Sequence, residues 1–249
     1  MKLKPSTLLL CGLLGGCATP ANPYLQQVSI VLPPESQKNM SDRLEADRGP
    51  QPRSADSPFN TDFPASRVLT WHQPAAGSPR LMPNAVRYYD LTGLSEDRSI
   101  IPAVKRLEKA IRERKSASRL RALDQDLPLY PPQNAGFLVQ DKISYEPFEW
   151  GSGVFFLAQF TQSRGMFPNN RELTYQFQGI SKDRRLFVCA MFNVTNPVLP
   201  SSLEAVPQTD TIDDDAEEMA KQLDRQPDSS FIPDLGTIRS WVGSIKIPR

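Results

Sequence analysis

The run LFVCAMFNV (186–194) is apolar at almost every position. Successive side chains of a strand point to opposite faces, so a strand without a polar face must be covered twice. That requirement predicts a central strand in an antiparallel sheet with helices over both faces, an α+β layered sandwich. The neighbouring segments fit such a sheet. In ELTYQFQG (172–179), Leu173, Tyr175 and Phe177 alternate with Thr174, Gln176 and Gln178, the mark of a strand with one wet face. VFFLAQFTQ (154–162) and GFLVQDKISYEPFEW (136–150) precede it, with Pro147 demoting the end of the latter to an edge or bulge. Three successive strands with short turns make an antiparallel meander.

Earlier strands are expected at RVLTW (67–71) and AVRYYDL (85–91). One helix is expected from Pro102 to Leu123, with Val104, Leu107, Ala110 and Ile111 on one face. Two more are expected, from Asp213 to Arg225 and from Asp234, a plausible cap, to Ile245. Residues 35–66 are polar, mixed in charge and broken by prolines, and are read as a flexible linker. The chain as a whole carries 24 prolines in 249 residues, about twice the usual 5%. The short run VSIVL (28–32) is a strand candidate whose place in the sheet stays open. The expected organisation is therefore a leader at 1–16, an N-terminal segment and linker at 17–66, and one α+β domain at 67–249.

The start of the chain has its own pattern. Lys2 and Lys4 precede an apolar run, Leu8 to Leu14, too short to cross a bilayer, which takes about 20 residues. The run ends in Leu14-Gly15-Gly16-Cys17, which resembles the lipobox of bacterial lipoproteins. The resemblance implies cleavage before Cys17, a diacylglyceryl group on its thiol and acylation of the new amine. More than one chain suits the task, because a single acyl chain gives only marginal, reversible binding. Ala18 follows the cysteine; in Gram-negative members of that family an aspartate there retains the protein in the inner membrane, so its absence implies the outer membrane. The implied partner is the membrane, and the implied location the cell envelope.

Two resemblances concern the other end. NNRELTYQFQGISKDRRLFVCAMFNVTNP with the closing PDLGTIRSWVGSIKI resembles a group of uncharacterised secreted bacterial proteins, over about the last 120 residues. The meander closing in a short helix and a Ser-Ile-X-Ile tail resembles the Mog1/PsbP-like sandwich in topology. Neither implies an activity or a site residue.

Composition excludes several functions. The formal charge of +1 becomes −1 once Lys2 and Lys4 leave with the leader, which argues against a nucleic-acid partner. His72 is the single histidine, so multi-histidine metal sites and most general-base schemes are excluded. Neither a metal nor a cofactor is expected. Cys11 leaves with the leader and Cys17 is acylated, so Cys189 has no cysteine partner within the chain. It reads as a small buried hydrophobe rather than a reactive thiol. The acidic run around Asp213, Asp214 and Asp215 reads as a helix start, not a calcium loop. Glu146 and Glu149 read as two exposed acids rather than a glycosidase pair.

Two groups remain as candidate binding residues. Trp150, at one end of a strand, and Asn169, Asn170 and Arg171, at the other, combine an aromatic with amides on loops that could read a sugar or peptide; ordinary turn chemistry accounts for them better. Between residues 105 and 121, eight cations face two carboxylates. Lys105, Arg106, Lys109, Arg112, Lys115 and Arg119 are candidates for contact with an anionic surface, against the alternative of a solvated helix face. The expected function is a membrane-anchored envelope lipoprotein with a non-catalytic binding or structural domain, its partner an envelope protein, glycan or anionic lipid. The alternative is a histidine-independent envelope enzyme using carboxylates or Cys189.

Overall fold

The computed structural model describes residues 22–51, 61–72, 82–123, 125–206 and 211–248. Its elements in chain order are α1 (Pro23–Gln27), α2 (Pro34–Gln37), β1 (Ser41–Glu45), β2 (Gly49–Gln51), β3 (Thr61–Phe63), β4 (Ser66–Trp71) and β5 (Asn84–Asp90). Then come α3 (Ile100–Glu113), α4 (Ala117–Ala122), β6 (Gly136–Pro147), β7 (Gly151–Thr161), β8 (Thr174–Ser181), β9 (Leu186–Asn193), α5 (Ile212–Arg225) and α6 (Leu235–Gly243). Seven strands form one antiparallel sheet in the order β1-β4-β5-β9-β8-β7-β6, so the chain is α+β. The doubly apolar strand β9 stands in its centre.

Alternate residues of the central strands belong to two different cores. On one face, Leu157, Tyr175, Phe177, Val188 and Phe192 cluster with Leu25 of α1, Leu223 of α5 and Ile238 and Val242 of α6. On the other, Val154, Phe156, Ile180 and Phe187 cluster with Ile100, Val104 and Leu107 of α3 and Leu120 of α4. Burying one such side chain contributes about 1.5–3 kcal/mol, so a strand with residues in both clusters gains from each.

The expected strands at 67–71 and 85–91 and the meander are present. Other expectations need correction. The helix expected over 102–123 is two helices, because Arg114 takes a left-handed conformation (φ 49°) that ends α3, its N–H donating to Ala110 O. Ser116 then caps α4, its Oγ accepting from Arg119 N at 3.3 Å. VSIVL is not a sheet strand: only Ser29 makes a bridge, to Lys246, while Val28 and Leu32 are buried. The stretch expected to be a flexible linker includes α2 and also β1, whose Ser41–Glu45 pairs residue by residue with Ser66–Thr70.

Arg67 explains why so polar a segment is held. Its Nε and Nη2 donate to the two oxygens of Asp42 on β1 at 2.9 and 2.7 Å. Its Nη1 donates to the carbonyls of Leu25, Gln26 and Val28 just after and within α1. A guanidinium presents donors in a fixed fork and can satisfy a carboxylate and a helix end together. Structure therefore begins well before residue 67, at least from Asn22, whose Oδ1 accepts from Tyr24 N and Leu25 N. Cys17 and the leader lie outside the described residues.

Candidate functional site: a cavity with a polar floor

The polar face of β8 is not wet. All eight residues of this strand are buried. The cross-strand register sets Val154, Gln178, Cys189 and Arg87 in one row across β7, β8, β9 and β5, and Phe156, Gln176, Met191 and Ala85 in the next. Helix α3 covers this face near Val154 and Phe187. Over the remaining part lies a cavity of about 600 Å³. Its floor is Thr174, Gln176, Gln178, Cys189 and Met191, and its walls include Leu129, Tyr130, Phe160, Met82 and Met166.

The floor groups differ in how they are satisfied. Thr174 Oγ1 donates to Ala158 O at 2.9 Å and accepts from Gln176 Nε2 at 3.1 Å. Gln178 is only 2% exposed, and neither its Oε1 nor its Nε2 has a hydrogen-bond partner among the described residues. Leaving such groups buried and unbonded costs roughly 1–3 kcal/mol each, which makes an unpartnered amide an anomaly that needs a reason. Its neighbours in the row offer little. Val154 is apolar, and Arg87 is engaged by Glu45 and by Ser66 Oγ. Burial pushes the Cys189 thiol well above its ordinary range, against a smaller opposing influence of Arg87.

The rim is built by a second set of amides. Gln159, fully buried, accepts from Asn169 N at 2.9 Å and donates from Nε2 to Glu172 Oε2 at 3.1 Å. Asn169 Nδ2 also reaches Glu172 Oε2, and its Oδ1 accepts from Arg171 N. Asn170 donates to the carbonyls of Asn196 and Leu199. These bonds place Arg171 and Glu172 on the cavity wall. Arg171 Nη1 lies 3.4 Å from the exposed Glu204, while its buried Nε has no partner among the described residues.

Of the four candidate loop residues, the structure brings only Arg171 to the cavity. Asn169 and Asn170 are loop supports. Trp150 belongs to the opposite core: its Nε1 donates to Val242 O at 3.0 Å and its ring stacks on Phe148. Sequence reasoning missed the floor. The signal was the period-two row Thr174, Gln176, Gln178, read as facing solvent because one polar face of an antiparallel strand usually does.

The basic residues lie on and beyond α3. Lys105 pairs with Glu96 at 2.5 Å, and Lys109 and Lys115 both pair with Glu113. Arg106, Arg112 and Arg119 are exposed and have no ion pair among the described residues. Arg106, Lys109 and Lys115 border a second cavity of about 540 Å³ with Tyr145 and Leu127. A third, about 520 Å³, is lined by Arg121, Asp141 and the start of α5. Asp141 is fully buried and pairs with Arg121, and its Oδ2 has no partner among the described residues; burial raises its pKa to about 6. His72 is exposed just past β4. Asp213 Oδ1 accepts from Gly165 N, and Glu146 accepts from Ser144 while Glu149 is exposed.

Among the described residues no helix is long and apolar enough to cross a membrane, and no group of three or more His, Cys, Asp or Glu side chains is placed to hold a metal. Compared with protein-family models, curated proteins and solved structures, the chain matches none.

Proposed function

We propose that the chain is a lipid-anchored protein of the bacterial cell envelope, tethered through Cys17, whose domain binds a ligand without transforming it. The binding site is the cavity over β8 and β9. The observation that carries this reading is Gln178, a buried amide in the lining of the cavity whose donor and acceptor both lack a hydrogen-bond partner among the described residues. A ligand that bonds to it removes a desolvation cost already present in the empty protein. The fold belongs to the layered-sandwich class, with helices over both sheet faces; the support is the division of β7, β8 and β9 side chains between two helix-lined cores.

The cavity's chemistry favours binding over catalysis. Nucleophilic cysteines need a depressed pKa, and that of Cys189 is raised. Glu172 is already engaged by two amides. The anchor rests on the lysines, the apolar run and Leu14-Gly15-Gly16-Cys17, and Ala18 supports the outer membrane as its destination. Replacing Cys17 with Ser tests the anchor. Labelled palmitate should no longer be incorporated and the protein should leave the membrane fraction; unchanged label and fractionation would refute the anchor.

A further inference from the structure

We infer that the cavity takes an extended, apolar peptide ending in a free carboxylate, an assignment that rests on the binding-domain reading above. Shape is the first reason. From Thr174 to Gln178 the floor runs four residues along β8, roughly 13 Å at about 3.3 Å per residue. That length suits an elongated ligand of about four peptide units rather than a compact one.

The chemistry of floor and walls is the second reason. Gln178 offers an acceptor and an N–H₂ donor, both unbonded. A secondary amide presents the matching donor and acceptor together. A fatty acyl chain would leave the Gln178 amide as unsatisfied as it is in the empty cavity. A saccharide would turn its hydroxyls toward walls made by Met82, Met166, Leu129 and Phe160. An extended peptide fits both surfaces, since its main chain faces the amides and its side chains meet the walls. The methionines are flexible and polarizable and accept varied apolar groups, so recognition is of the main chain more than of sequence.

Charge is the third reason and sets the direction. Arg171 stands on the cavity wall three residues before Thr174, beside Glu172, whose carboxylate is held by Gln159 and Asn169. The Nη1 of Arg171 lies 3.4 Å from the exposed Glu204, and its Nε is unbonded among the described residues. Guanidinium is the side chain best suited to a carboxylate. The peptide's C-terminus therefore lies at Arg171 and its amides run back toward Gln178.

The test is calorimetric titration of the full chain in non-ionic detergent with a pool of N-acetylated apolar tetrapeptides, as free acids and as terminal amides, and with N-acetylglucosamine disaccharide. The free acids should bind, the amides several-fold more weakly. Gln178→Leu should weaken free-acid binding about tenfold, the equivalent of one to two hydrogen bonds, without lowering the unfolding midpoint. Arg171→Gln should remove the advantage of the free acid. The peptide assignment is overturned if Gln178→Leu binds as well as the wild type, or if the free acid has no advantage. Disaccharide bound with no peptide bound overturns it while leaving the cavity a binding site. Neither bound overturns both.

Discussion

Gln178 stands directly opposite Cys189 in the β8–β9 ladder, so an unbonded amide and a half-buried thiol share one patch of cavity floor. Burial holds the thiol pKa well above the usual range, so little thiolate exists near neutral pH. In a chain carrying Cys11→Ser and Cys17→Ser, Cys189 should react with iodoacetamide far more slowly folded than unfolded at pH 8. Equal rates would show an activated thiol and revive cysteine chemistry at this site.

A second expectation concerns pH. The pKa of Asp141 is raised from 3.8 to about 6 in the folded chain, mainly by burial and despite the ion pair with Arg121. The folded state therefore binds more proton than the unfolded state between about pH 4 and pH 6, and this group's contribution falls as pH rises through that window. Two pKa units correspond to about 3 kcal/mol. Asp228 and Asp90, held low by hydrogen bonds and nearby cations, act in the opposite sense, losing stability as pH falls. The difference isolates Asp141: Asp141→Asn should gain on the wild type by up to about 3 kcal/mol from pH 4 to pH 7 in urea unfolding. A pH-independent difference would contradict the raised value.

Arg67 joins α1, β1 and β4 through one guanidinium. Its loss should exceed that of its charge partner, because Asp42 is 40% exposed at the side chain and exposed pairs contribute about 0–1 kcal/mol. Urea unfolding should show Asp42→Asn within about 1 kcal/mol of the wild type and Arg67→Ala lower by about 2–3 kcal/mol, as partly buried carbonyls lose their donor. Equal losses would mean that the ion pair alone holds β1.

The β7–β8 ladder has a tight point at Gly153. A Cβ there would overlap the Phe177 ring and come within 2.5 Å of Gln178 O. Because the contact includes backbone, the strand pair must move apart, at a cost of about 1–3 kcal/mol or more. Gly153→Ala should lower the thermal midpoint by several degrees; an unchanged midpoint would show that the pairing is looser than its geometry.

Much of this fold was legible because its core strands carry apolar runs that only a covered sheet can bury. LFVCAMFNV announced its central place, and Asp234 announced α6, capping it with Oδ1 on Thr237 N at 2.8 Å. What escaped depended on distant partners. Nothing local in SDRLE reveals a strand, since its order comes from Arg67, 25 residues away from Asp42. The break at Arg114 had a correlate in the sequence, the cap residue Ser116. At the candidate site the residues Thr174, Gln176 and Gln178 were seen, and their alternation was seen; that residues 129–133 and 160–171 fold over them was not. Arg171 reached the site, whereas Trp150 was claimed by the opposite core through Val242 O.

The most direct measurement is the unfolding free energy of Gln178→Leu against the wild type, without ligand, by urea denaturation at pH 7. If the amide is unbonded and kept for a ligand, removing it relieves a desolvation cost of about 1–3 kcal/mol, and the variant should be as stable as the wild type or more so. A loss of more than about 1 kcal/mol would mean that Gln178 is bonded within the fold, and the cavity floor would then be structure rather than a site.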